Sequence, residues 1–169
     1  MAGQLKEVRN RIKSTQGTQQ ITKAMKMVSA AKLRRAQDAI TQMRPYANKL
    51  QDMLSNIVGS LEGDINLALA ETRPVNNVLL IVITSDRGLC GGYNANVVKL
   101  AKATIADKYP TQKITIWNIG KKGFESLSKS GYNTNADYKD IFLDLKFENV
   151  QVAAKAAMNA FANKEFDAI

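Results

Sequence analysis

The sequence predicts an α/β protein in which a long N-terminal coiled-coil helix precedes a small Rossmann-like open α/β sheet domain. Three observations carry that expectation. A single unbroken heptad frame steps +3, +4 through Leu5, Val8, Ile12, Thr15, Gln19, Thr22, Lys26, Ser29, Leu33, Ala36, Ile40, Met43, Ala47, Leu50, Leu54, Ile57 and Leu61. From Val75 the period changes to strand–helix alternation, beginning with the aliphatic run Val78–Ile83. The charge divides at the same place. Residues 1–60 hold eleven Lys/Arg against three Asp/Glu, a net +8, whereas the remaining residues hold thirteen against twelve.

The helix comes first. Gly17 and Pro45 are its only breakers between Gln4 and Val58. A mid-helix glycine costs about 1 kcal/mol relative to alanine, which a helix of this length absorbs. Pro45 removes the hydrogen bond to the Thr41 carbonyl, which predicts a kink and not an end, because the apolar frame runs straight through it. Gly59 and Gly63 are the expected C-terminal stops. Such a helix is roughly 80 Å long, too long to hide its apolar stripe against a domain of this size, so a partner must cover it.

Residues 62–74 read as a connector, with a short helical turn at Leu67–Ala70, and residues 75–169 as the α/β domain. Val78–Ile83 is a buried, parallel-type strand closed by the glycine-rich loop Ser85–Gly92. Asn94 is the expected N-cap of a helix to about Lys108, with Val97, Val98, Ala101 and Ile105 on one face. Lys113–Ile119 forms a second strand ended by Gly120, and a short helix from Lys122 to Lys129 stops at Gly131. Residues 132–146 carry one further strand. Asn149–Asn163 is an alanine-rich helix with Val150, Ala153, Ala157 and Phe161 inward. Phe166–Ile169 looks like the start of another strand, and the long helix has no antiparallel mate, so the sequence reads as an incomplete chain.

Composition excludes several function classes. There is no histidine, which removes the commonest general base and metal ligand. One cysteine, Cys90, rules out a disulfide framework and fits a reducing compartment. The longest aliphatic run is too short to cross a bilayer, and the N-terminus lacks the apolar core of a secretory signal.

The loop Ser85–Gly92 lies where an α/β sheet binds phosphate, but its glycine spacing matches neither G-x-G-x-x-G nor G-x-x-x-x-G-K-[ST]. Glycines permitting a tight turn are the better account. Asp86, at the strand end, caps that turn or pairs with a neighbour. Cys90 has no histidine to activate it and reads as a small loop thiol. No catalytic, metal or cofactor site follows. The richer surface is the helix. Its central frame positions Thr15 to Ser29 are polar, and there Ile21, Met25 and Val28 form a second apolar face among Lys23, Lys26, Lys32, Arg34 and Arg35. A surplus of eight charges on one element calls for an acidic partner. Methionine suits a surface that accepts more than one packing. The seam from Leu33 through Ala36, Ile40, Met43, Ala47, Leu50, Leu54 and Ile57 has alanines that admit a second helix closely.

The segment Ile21–Gln37 (ITKAMKMVSAAKLRRAQ) closely resembles the N-terminal helix signature of gamma subunits of F-type ATP synthases. Arg44-Pro45-Tyr46 and Ser85–Gly92 (SDRGLCGG) resemble other stretches of that family, in order and spacing. The resemblance spans the whole chain. It implies a non-catalytic rotor subunit without cofactor, whose N-terminal helix pairs antiparallel with a C-terminal helix to form a shaft inside a hexamer of alpha and beta subunits. It further implies that Met25, Lys26, Lys32, Arg34, Arg35 and Arg87 meet acidic loops of the beta subunits. The foot would contact the epsilon subunit and the membrane rotor ring of c subunits, on the cytoplasmic face of a bacterial plasma membrane, with membrane association through the complex alone. Rotation would couple proton flow to ATP synthesis and hydrolysis. Nothing in this sequence matches the family's C-terminal helix.

Two other readings compete. A basic stretch Lys23–Arg35 followed by heptads resembles the order of a basic zipper that binds DNA. Met25, Met27, Val28, Ala30 and Ala31 interrupt it, however, and a zipper has no use for the sheet domain. A nucleotide-binding enzyme built on the sheet would need the phosphate motif that is missing.

Overall fold

The computed structural model describes residues 2–60 and 68–169. The chain divides into two compact units, Met1–Ile65 and Asn66–Ile169. In the first, helix α1 (Ala2–Ser60) runs through Pro45 without ending. It also runs through Gly59, which is not in a left-handed conformation and does not stop it. The expected positions Leu61, Gly63 and Leu67 lie outside the described residues. Ala68–Ala70 form a turn.

The second unit is the expected open parallel sheet. Strands β1 (Asn77–Ile83), β2 (Lys113–Ile119) and β3 (Thr134–Asn135) lie in the order β1-β2-β3. β1 and β2 are parallel, with Asn77 opposite Lys113 and Ile83 opposite Ile119. β3 adds only the pairs Ile116–Thr134 and Trp117–Asn135. At Phe166–Ile169, where the sequence suggests the entry to another strand, there is a single isolated bridge and no strand. Ala168 makes a parallel bridge to Val78, and its carbonyl accepts the Leu79 N–H at 3.0 Å. Helices α2 (Tyr93–Lys108) and α3 (Lys121–Lys129) cover one face of the sheet. After β3 come a 3-10 turn (Ile141–Asp144) and α4 (Phe147–Ala162).

The core forms where the alternating face of the strands meets the helical stripe. Val82 and Ile116 pack with Val98 and Ala101 of α2 and Leu127 of α3, flanked by Leu80, Val97, Ile105 and Ile114. The expectation that β1 is buried throughout fails toward its C-terminal end, on the opposite face. Ile81 is 36% and Ile83 50% exposed, because α2 and α3 cover only the face of Leu80 and Val82.

Two expectations about helices are also corrected. In α4, Ala153, Ala157 and Ala160 are buried, but Val150 is exposed, and Phe161 lies half-buried beneath the Arg73 guanidinium. The inward stripe is therefore an i, i+4, i+7 run of alanines, which the mixed apolar composition of that helix obscures. α2 begins at Tyr93, so Asn94 is not its N-cap; Gly92 holds that position and the Asn94 side chain turns back to the loop.

Candidate functional site

Two surfaces carry the residues singled out from sequence, and they belong to different units. On α1 the five candidates Met25, Lys26, Lys32, Arg34 and Arg35 are all exposed. Helical geometry does not place them on one face. At about 100° per residue, Lys32 and Arg35 share the side of Met25 with Ile21 and Val28, Lys26 falls within the heptad frame, and Arg34 lies opposite Met25. The apolar seam Leu33, Ala36, Ile40, Met43, Ala47, Leu50, Leu54 and Ile57 is exposed along its length, its large side chains ranging from 44% at Leu50 to 62% at Met43.

Two threonines in the polar stretch of the frame, Thr15 and Thr22, are satisfied locally, as is Thr18 between them. The Thr15 hydroxyl donates to the Arg11 carbonyl at 2.8 Å, Thr18 to Ser14 at 3.1 Å and Thr22 to Thr18 at 2.9 Å. Each hydroxyl is satisfied by its own helix four residues back, so these threonines can turn methyl groups outward. A seam residue that is polar by composition thus asks little hydrogen bonding of a partner.

Arg87 is exposed on the loop after β1. That loop is clamped at its base. The Ser85 N–H donates to Asn94 Oδ1 at 3.0 Å, Asn94 Nδ2 donates to Ser85 Oγ at 2.8 Å, and Ser85 Oγ donates to the Arg87 carbonyl at 2.6 Å. The Tyr93 hydroxyl reaches the Ile83 carbonyl at 3.1 Å. At the tip Leu89 is fully exposed at a φ of 63°, a left-handed backbone unusual for leucine and costing about 1 kcal/mol or more. Gly91, at φ 61°, takes the same conformation without that cost. The loop therefore presents Arg87 and an apolar Leu89 outward, and composition holds no hint of the second.

Asp86 does not close its own turn. Its Oδ1 accepts the N–H of Lys121 at 3.1 Å, capping α3 from 35 residues away in sequence. The next two α3 amides are occupied as well: Lys122 N–H by the Ser85 carbonyl at 3.2 Å and Gly123 N–H by Thr84 Oγ1 at 2.8 Å. A helix N-terminus whose amides are already taken has little left to offer a phosphate. This removes the physical basis of the nucleotide-site reading on that side of the loop.

Cys90 is half-buried and free. Its thiol is held below the usual thiol range, chiefly by the backbone N–H of Asn94 and then by the Ser85 hydroxyl, with burial opposing both. Among the described residues no group of three His, Cys, Asp or Glu side chains could hold a metal ion, and no helix is long and apolar enough to cross a membrane.

Residues 4–169 match the family model of ATP synthase. The chain is 49% identical over 169 residues to the ATP synthase gamma chain of Cytophaga hutchinsonii, covering 98% of this chain and 57% of that one. Identity to the ATP synthase gamma chain of Flavobacterium johnsoniae is also 49%, over 165 residues, with the same coverage of 98% and 57%. For the ATP synthase gamma chain of Chlorobaculum tepidum it is 44% over 169 residues, covering 98% and 58%. The chain thus spans under two thirds of the length of these curated relatives.

Proposed function

Because this chain belongs to the ATP synthase family, in which its curated relatives are gamma chains, we propose that it serves in the rotary central stalk of an F-type ATP synthase. It would couple proton flow to ATP chemistry in a hexamer of alpha and beta subunits without a catalytic site of its own. The observation that carries this reading is α1: 59 residues of helix with an exposed apolar seam and a surplus of basic charge. A free helix of that kind is an unfinished interface. A second helix lying antiparallel along Leu33–Ile57 completes it, and Ala36 and Ala47 set the close approach.

The charge then has a use. Met25 with Lys26, Lys32, Arg34 and Arg35 faces acidic loops of the beta subunits, and Arg87 meets the same acidic surface from its own loop. The spread of the four cations around α1 suits a shaft that turns past successive sites, since no single face is the binding face. Exposed ion pairs are individually weak, which lets them exchange as the shaft moves. The α/β unit contacts the epsilon subunit and the ring of c subunits. The complex sits peripherally on the cytoplasmic face of a bacterial membrane.

The test is co-purification with alpha and beta subunits, in the presence of the part of the Cytophaga hutchinsonii gamma chain that the match leaves uncovered. The wild-type chain is expected to be retained. Charge reversal at Lys26, Lys32, Arg34 and Arg35 together is expected to lower retention about tenfold or more at low salt. If the chain is not retained, and instead holds duplex DNA with an affinity falling steeply with salt, the rotor reading fails.

A further inference from the structure

The near-neutral charge of the α/β unit conceals a strong polarity. Residues 93–131, which carry α2, β2 and α3, hold seven lysines against two acids, a net +5. Residues 61–92 and 132–169 together hold six basic and ten acidic residues, a net −4. Three of these seven lysines border a groove of about 440 Å³ between α2 and α3, lined by Ala95, Val98, Lys99, Lys102, Lys122 and Ser126. We propose that this groove docks an acidic amphipathic helix of a partner protein, apolar side chains on its floor and carboxylates at its rim.

The floor is Val98, which is buried, with Ala95 beside it, and both are small enough to admit a side chain from above. The rim cations are partly placed in advance. Lys102 Nζ donates to Ser130 Oγ at 2.8 Å and lies 6.0 Å from the centroid of the Tyr132 ring. Lys122 Nζ pairs with Glu125 at 2.7 Å. Lys99 makes no ion pair among the described residues.

The chemistry favours a peptide over a phosphate. The first amides of α3 are taken by Asp86, Ser85 and Thr84, so the groove offers no backbone cradle from that helix. Lysine, and not arginine, supplies every cation of the lining, so there is no bidentate fork for a phosphate. An apolar floor with a cationic rim is the arrangement that receives a helix by its apolar face and steers it by charge. The inference stands on the α/β unit alone and does not depend on the stalk assignment.

A fluorescent peptide of about four helical turns, leucines along one face and glutamates flanking them, is titrated into the full chain at ~150 mM salt and read by anisotropy. Lys99→Glu with Lys122→Glu is expected to weaken binding tenfold or more, and Lys99→Gln with Lys122→Gln to give a smaller loss. Lys32→Glu with Arg35→Glu on α1 is expected to change it less than twofold, which separates groove binding from general attraction to the basic helix. The proposal is overturned if both charge-reversal pairs weaken binding equally. It is also overturned if a peptide with serine in place of leucine binds as well, or if inorganic tripolyphosphate displaces the peptide at equal concentration. Retention by the alpha and beta subunits is a separate readout, so either idea can fail without the other.

Discussion

Gly120→Ala is expected to destabilise the α/β unit by about 4 kcal/mol, a large share of the 5–15 kcal/mol that holds a typical domain together. Two effects add. Gly120 sits at φ 104°, a backbone conformation that L side chains rarely adopt. A Cβ built there would also lie 2.1 Å from the Thr84 carbonyl oxygen and 2.7 Å from its carbon, contacts that no rotamer can relieve because the obstacle is main chain. Neither side can withdraw. Thr84 N–H is bonded to the Ile119 carbonyl at 2.8 Å, and Thr84 Oγ1 accepts the Gly123 N–H. The strand end and the helix start are locked through one residue pair, which is why the glycine is needed here and not merely convenient. Trp117 is the only tryptophan and lies on β2, so its fluorescence in urea reports this unit selectively. Gly88→Ala is the control. It has ordinary φ and open space around the added carbon, and its midpoint is expected to stay within about 0.5 kcal/mol of wild type. A Gly120→Ala midpoint equally close to wild type would mean that the β1–α3 junction is not packed as described.

Much of this architecture can be read from residue pattern, and the reason is periodicity. The heptad frame predicts α1, and the bounds of β2 coincide with the run Lys113–Ile119, because a repeating pattern averages over many residues. Single residues acting across the fold leave no such trace. Local sequence makes Asn94 the cap of the helix it begins, whereas its amide is drawn to Ser85 because the loop folds back over the helix start. Local sequence likewise assigns Asp86 to its own turn, yet it caps α3, since β1 and β2 are adjacent and bring their C-terminal ends together. Asn118 is fully buried with neither amide atom bonded among the described residues, at a strand position that alternation alone would fill with an apolar side chain. The candidate interface on α1 is legible as composition, a basic and methionine-bearing stretch. The division of its cations between faces becomes plain only when the helical angle is applied. Leu89 at the loop tip needs the backbone: its exposure follows from a left-handed conformation that nothing in the local sequence requires.

Arg73, which the sequence places in a connector, is expected to cost about 3 kcal/mol when replaced by alanine. Its side chain is 10% exposed and holds three segments together. Nη2 donates to the Phe161 and Phe166 carbonyls, each at 2.6 Å, Nη1 to Glu71 at 3.1 Å, and Nε lies 3.2 Å from Asp167 Oδ1. The guanidinium carbon stands 4.3 Å from the Phe161 ring centroid. Removing it takes the donor from the Phe166 carbonyl, leaves the Phe161 carbonyl only the Lys164 N–H, and strips the guanidinium charge from Glu71 and Asp167, so lysine, with one ammonium and no fork, is expected to restore only part of the loss. The chain end should then leave β1, and Trp117 again reports it, because the Phe166 ring meets Trp117 edge-on at 6.4 Å.

The same junction gives a pH dependence of defined sign. Asp167 is held below the usual carboxylate range by the N–H groups of Asn77 and Asn76 first, and by Arg73 after them, with burial opposing. A carboxylate with a lowered folded-state value contributes stability above its unfolded value, about 3.9, and loses it as pH falls through the folded value. The contribution is therefore complete from neutrality down to about pH 5 and fades below about pH 4. Asp167→Asn is expected to be less stable than wild type at pH 7 and to converge with it under acid, as followed by urea midpoints from Trp117 fluorescence. Glu125 and Asp140 are also held low by their lysine partners and give both proteins a shared acid sensitivity. The difference between the two curves is thus the quantity that isolates Asp167. Parallel curves, with the gap unchanged at low pH, would mean that the chain end is held by the Ala168 bridge and Arg73 alone, and that the carboxylate is incidental.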